Sequence, residues 1–223
     1  IPLVVNAMLC SRQSMMPRSN TRELGGSGVS KPHGHQHEAG AMWFGLTGRN
    51  AAGKTTIVEW LASQGHIATS CSDSIRAHLQ SQGLEITRDN LIQGGRDLRA
   101  AGGAGILAEM LRDTHRLDPD VAIDSIRTPA EVAALTERSD FRLIEVRASR
   151  DARWQRLQDR GRAGDPTDWQ TFVAQEEAEL IAADDSGQAL DATAAMADIL
   201  IDNEGNLAAL HSALEALLKP AGL

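Results

Sequence analysis

The sequence predicts an α/β fold: a five-stranded parallel sheet covered by helices on both faces. Two observations carry that prediction. Five short apolar stretches that read as strands alternate with segments of helical periodicity over residues 42–218. Between the first strand and the first helix lies Gly48-Arg49-Asn50-Ala51-Ala52-Gly53-Lys54-Thr55, which fits the phosphate-binding loop pattern G-x-x-x-x-G-K-[ST].

The first stretch, Met42 to Thr47, reads as a buried strand, and Thr56 to Gln64 reads as a helix with Ile57, Trp60 and Leu61 on one face. In the loop between them, Gly48 and Gly53 let the backbone curl until several N–H groups face one anion. The helix that follows turns its positive end to the same anion. Lys54 has the reach for the β- and γ-phosphates of a nucleotide, and Thr55 has a hydroxyl for Mg²⁺. Asn50, Ala51, Ala52 and Thr56 supply further loop and helix N–H groups. The chain has nineteen arginines and only three lysines, Lys31, Lys54 and Lys219, so the lysine at this position is not general surface dressing.

Gly65 ends the first helix, and His66 to Cys71 reads as the second strand. A helix is expected from Ser72-Asp73 to about Gln82. Helical patterning then runs from Thr87 to His115, broken at Gly102-Gly103. Val121 to Asp124 is the third strand. Thr128, Pro129 and Glu131 mark a helix start, with a cap, a proline at the first position and a capping box. Phe141 to Ala148 is the fourth strand, and Ser149 caps an arginine-rich helix bearing Arg150, Arg153, Arg156 and Arg160. A flexible turn spans Gly161 to Pro166. Thr167 and Gln170 read as a capping box for a helix ending near Ile181. Ala197 to Asp202 is the fifth strand, Asn203-Glu204-Gly205 a turn, and Leu207 to Leu218 the last helix.

Residues 1–41 read as a disordered tail, rich in Ser, Gly, Pro, Arg and His without apolar periodicity. Its apolar start, Ile1 to Cys10, lacks the basic leading region of a signal peptide. His33, His35 and His37 alternate as a metal-binding run would, but a solvated loose run is the better reading of the same spacing. Met42 is a candidate start for the protein. The domain proper is then 42–223.

Charge and cysteine usage bound the function. The chain carries −8, and since residues 1–41 carry +2, the rest carries −10. That balance argues against a broad nucleic-acid surface. Two cysteines, Cys10 in the tail and Cys71 expected in a buried strand, give no disulfide and fit a reducing, cytoplasmic setting. No apolar run approaches the length of a membrane span.

Ligands of open parallel sheets sit beyond the carboxyl ends of the strands. Those ends are expected at Thr47, Cys71, Asp124, Ala148 and Asp202. Asp-Ser-Ile-Arg occurs at two of them, Asp73 to Arg76 and Asp124 to Arg127. Asp124 is a candidate for holding Mg²⁺ through water, or else a helix-capping residue. Arg76 and Arg127 are candidates for an acceptor phosphate, or else surface ion pairs. Asp73 could orient or deprotonate an attacking hydroxyl, or cap its helix. Arg156, Arg160 and Arg162 approach the flexible turn and could close over a transferring phosphoryl group as a lid near residues 150–170.

This combination resembles the small P-loop kinases of nucleotides, the superfamily of nucleoside-monophosphate kinases and dephospho-coenzyme A kinase. More closely, it resembles predicted nucleotide kinases and the kinase-like domain attached to some deoxycytidylate deaminases. The shared runs are Gly45 to Thr56, Ser72-Asp73 with Arg76, Ile123 to Val132, Arg160-Gly161-Arg162 with Gly164-Asp165, Met196-Ala197-Asp198 and Asn203-Glu204-Gly205. The resemblance implies a P-loop fold of nucleotide-kinase type with a small helical lid. It also implies ATP, Mg²⁺, a lid arginine and transfer of the γ-phosphoryl group to a nucleotide or similar small phosphorylated acceptor. It places Asn203 to Gly205 beside the adenine. The Asp-Ala-Asp expected of dephospho-coenzyme A kinase after the second strand is absent, as is any deaminase zinc motif. A P-loop ATPase or nucleotide-binding regulatory protein is the alternative.

Overall fold

A computed structural model of the chain describes residues 41–161, 165–180 and 190–218. Five parallel strands, β1 (Trp43–Thr47), β2 (Ile67–Ser70), β3 (Val121–Asp124), β4 (Phe141–Arg147) and β5 (Ile199–Asp202), form one sheet in the order β2-β3-β1-β4-β5. The helices are α1 (Lys54–Ser63), α2 (Cys71–Ser81), α3 (Arg88–Gly102), α4 (Ile106–Thr114), α5 (Pro129–Leu135), α6 (Arg150–Arg160), α7 (Trp169–Leu180), α8 (Leu190–Ala194) and α9 (Leu207–Leu218).

Side chains alternate across a strand, so the central strands feed two separate cores. On one face Trp43, Val121, Ile123, Phe141 and Leu143 pack with Ile75 and Leu79 of α2, Leu107 and Leu111 of α4, and Val132 and Leu135 of α5. On the other, Phe44, Leu46, Ala122, Ile144, Val146 and Ile201 pack with Ile57, Val58 and Leu61 of α1 and Leu210 and Leu214 of α9. Burial on both faces explains why these strands read as continuous apolar runs. Gly45 sits in mid-strand because a Cβ there would lie 2.3 Å from Cδ1 of Ile126 and 2.8 Å from the Phe141 ring.

The expected class, strand number and helix order are those observed; several boundaries differ. Cys71 is not in a strand but is the buried first residue of α2. Ser70 supplies the cap and Asp73 the third helical residue of a capping box, which pulls the helix start forward. The carboxyl ends of β2 and β4 are therefore Ser70 and Arg147. α1 begins at Lys54, inside the phosphate loop rather than after it. α7 starts at Trp169. Its cap is Asp168, whose carboxylate accepts from the Thr171 N–H (2.8 Å) and hydroxyl (2.7 Å), rather than Thr167. α8 has no counterpart in the sequence expectations. Arg162, the tail with its histidines, and Cys10 lie outside the described residues. Among the described residues, no helix is long and apolar enough to cross a membrane.

Candidate functional site

β1 is central in the sheet, so the loop after it opens at the middle of the carboxyl edge. In register, Thr47 lies beside Glu145 of β4, and Gly45 lies beside Ile123 of β3. The loop is folded tightly against the sheet: a Cβ on Gly48, at φ 133°, would stand 2.3 Å from the Val146 carbonyl oxygen. Gly53, at φ 111°, is the N-cap of α1, and among the described residues no side chain caps that helix end. Ala51 also takes a positive φ, 60°. Gly48, Ala51 and Gly53 thus give the loop three positive φ angles, a conformation that favours small residues.

A cleft of about 480 Å³ opens over this loop. Gly48, Asn50, Ala51, Gly53, Lys54, Thr55 and Thr56 form its floor, and Ser125 to Arg127 one wall. Arg156 and Arg160 of α6 close another side, joined by Leu190 of α8. Four cationic side chains, Lys54, Arg127, Arg156 and Arg160, face one carboxylate, Glu59. Positive charge is thus gathered in a concavity of an acidic protein. Lys54 lies along the loop, its Nζ donating to the carbonyls of Gly48 (2.7 Å) and Arg49 (2.9 Å).

The wall beyond β3 is shaped by one strained residue. Ser125 has φ 57°, uncommon for a side chain with a Cβ. The kink turns the chain so that Ile126 donates to the Leu46 carbonyl (2.9 Å) and Arg127 follows into the cleft. Glu131, almost fully buried, accepts from the N–H groups of Arg127 (2.9 Å) and Thr128 (3.2 Å) and lies 3.7 Å from the Arg99 guanidinium. Asp124, half-buried at the end of β3, accepts from the Ser125 hydroxyl at 3.0 Å.

Not every expected residue is brought here. Asp73 and Arg76 do not line the cleft; they pair with each other at 2.7 Å at the start of α2. Partial burial pushes the Asp73 pKa up, but hydrogen bonds from the Ser70 hydroxyl and N–H and from Arg76 outweigh it, holding the carboxyl below its usual range. Arg160 makes a bidentate pair with Asp165 (2.8 and 2.7 Å), which raises its pKa, and reaches Oδ1 of Asn50 at 3.3 Å. Arg156 donates to the carbonyls of Ala51, Ala52 and Asn203, and Asn203 itself is buried. Ala52 is buried behind the loop, and Gly205 is in the exposed turn after β5.

No protein-family model matches the chain. A UPF0200 protein of Halobacterium salinarum is 30% identical over 180 residues, spanning 78% of this chain and 91% of the relative. This chain belongs to the UPF0200 family. A family member from Methanococcus maripaludis is 28% identical over 180 residues, covering 79% of this chain and 95% of its own length. Among solved structures, TT1252 from Thermus thermophilus superposes with a TM-score of 0.53 at 16% identity, covering 82% of this chain and all of that one. That likeness is one of fold, the parallel α/β sheet with helices around it.

For this UPF0200 member, four cleft residues were not among the expected site residues: Glu59, Ser125, Ile126 and Leu190. Ser125 had a signal, since it follows an acid at a strand end, but its positive φ is visible only in the folded backbone. Glu59 stands one helical turn after Thr55 and was findable from spacing. Leu190 was not, because α8 has five residues and too little periodicity to register.

Proposed function

We propose that the protein is an ATP-dependent phosphotransferase, a P-loop kinase that moves the γ-phosphoryl group of Mg·ATP to a nucleotide or a similar small phosphorylated metabolite. The observation that carries this is the convergence of Arg127, Arg156 and Arg160 with Lys54 on one phosphate-loop cleft. A loop that bound only the donor would need fewer cations; two phosphorylated ligands meeting end to end need their combined charge offset.

In this reading the N–H groups of Gly53, Lys54, Thr55 and Thr56 hold the donor phosphates, and Lys54 swings from its own loop carbonyls to the β- and γ-phosphates. Thr55 and Asp124 would hold Mg²⁺ together with phosphate oxygens, the ion offsetting charge on the transferring group. Among the described residues no cluster of three or more His, Cys, Asp or Glu side chains could hold a metal ion. Arg127 takes the acceptor phosphate. Arg76 and Asp73 have that role only if α2 moves toward the cleft. Arg160 belongs to a lid near residues 150–170; Arg162, also expected there, lies outside the described residues.

ADP formation from Mg·ATP, measured against ribo- and deoxynucleoside monophosphates and dephospho-coenzyme A, tests the reading. The expected result is turnover that depends on one acceptor class and falls by at least about a hundredfold in Lys54→Ala, as loss of a charge clamp on the transferring group does. Turnover indifferent to every acceptor would instead make the protein an ATPase.

A further inference from the structure

Residues after the fifth strand are expected to border the adenine. Asn203 is placed against the phosphate loop. It is buried, and its side-chain Nδ2 donates to the Ala52 carbonyl at 2.9 Å. The contact is so close that a Cβ on Gly53 would lie 2.3 Å from that nitrogen. The backbone of Asn203 is anchored from below, its N–H donating to the Arg147 carbonyl at 2.7 Å. Its own carbonyl accepts from Arg156 Nη2 at 2.6 Å, while Nη1 of the same guanidinium reaches the carbonyls of Ala52 (3.2 Å) and Ala51 (3.4 Å). Two side chains from elements about a hundred residues or more downstream therefore grip the loop by its carbonyls.

The geometry of the peptide unit gives this grip a consequence. In a planar trans peptide, the N–H of one residue points opposite to the carbonyl of the residue before. Fixing the Ala52 carbonyl on Asn203 and Arg156 aims the Gly53 N–H away from them. Gly53 is the N-cap of α1 and lines the cleft. Ala51 and Gly53 both have positive φ, a conformation that costs energy for Ala51 and would relax without an external hold.

We infer that Asn203, assisted by Arg156, is a positioning residue of the phosphate loop: it holds the Ala51–Ala52 carbonyls outward so that the loop N–H groups meet a polyphosphate, and it does not read the nucleotide base. This rests on the reading of the cleft as a nucleotide site. It replaces the expectation that Asn203 borders adenine. Its signature is base independence: whatever Asn203 contributes must be felt equally by any ligand with the same phosphates.

The test is calorimetric titration of the full chain, with Mg²⁺, against ATP, GTP and inorganic tripolyphosphate. Wild type is compared with Asn203→Asp, which keeps the shape and loses the donor, and with Asn203→Ala. Arg156→Lys, whose single ammonium cannot span three carbonyls, is the second handle should either Asn203 variant fold poorly. The expected result is a fall of about tenfold or more for all three ligands by a common factor, the scale of a lost hydrogen bond to a strained loop, with a melting temperature close to wild type. A change in the ATP to GTP ratio with tripolyphosphate unaffected would overturn the inference and return Asn203 to the base. Unchanged affinities for all three would overturn it too. Wild type that binds none of the three would sink the nucleotide reading, and this inference with it.

Discussion

Replacing Glu176 by leucine should cost about 3–5 kcal/mol of stability, the usual penalty for leaving a buried charge without its partner. The Arg153 and Glu176 side chains are 4% and 5% exposed, and they form an ion pair that ties α6 to α7. Glu176 also holds Arg150 at 3.0 Å, but that side chain is 44% exposed, so its share is at most about 1 kcal/mol. Arg153 retains a bond from Nε to the Ala148 carbonyl at 3.1 Å, which favours the lower end of the range. For a chain of this size a loss of about 3 kcal/mol corresponds to roughly 6–12 °C in Tm. Removing both charges in Arg153→Met/Glu176→Leu should recover most of the loss, since no charge is then stranded. Urea denaturation followed by circular dichroism, run as a double-mutant cycle, measures both. A single-variant loss under about 1 kcal/mol, or a double variant as unstable as the single, would show that the pair is solvated and that burial does not govern this contact.

Three further outcomes are expected. Gly48→Ala forces a Cβ within 2.3 Å of the Val146 carbonyl at φ 133°, so Mg·ATP affinity by calorimetry should fall by more than about tenfold, with a strain cost of about 1–3 kcal/mol. His66 is held below its ordinary pKa of 6.5 by burial, which outweighs the opposing pull of Asp120 and of a backbone hydrogen bond at Leu61. The unfolded chain therefore binds the proton first: the stability contribution is intact above 6.5 and is lost as pH falls from there toward the lowered folded value. His66→Phe should flatten the urea midpoint over that window, and an unchanged slope would mean that the ring is solvated. Glu131→Gln weakens the tie to the Arg127 and Thr128 N–H groups and the pairing with Arg99, so the acceptor KM should rise severalfold while the Lys54-dependent donor affinity stays constant.

How much could be read before folding depended on how local each determinant is. The phosphate loop is eight consecutive residues, so nothing distant was needed to recognise it. Thr128-Pro129-Ala130-Glu131 spelled out a helix start, and its capping box is observed. By contrast, Thr167 lost the α7 cap to Asp168, because two acceptable capping residues stood close together and only the path of the turn chose between them. Cys71 looked like strand because the apolar run continued through it. The Ser70–Asp73 capping box had already begun the helix, and hydrogen bonds to backbone outrank the hydropathy of one residue. The boundary errors fall where two local signals compete.

By itself the sequence determined the class, the five strands and the place of the central loop, because those follow from periods of two and 3.6 and from contiguous motifs. Tertiary structure decided which arginines, among the described residues, line the cleft. Arg127, Arg156 and Arg160 line it and Arg76 does not, since strand order and the kink at Ser125 set distances between residues far apart in the chain. It also decided that Asn203 turns inward to the loop. A side chain in a turn carries no mark of its direction, and only the packing of β5 against β4, with Asn203 anchored on Arg147, aims it at Ala52.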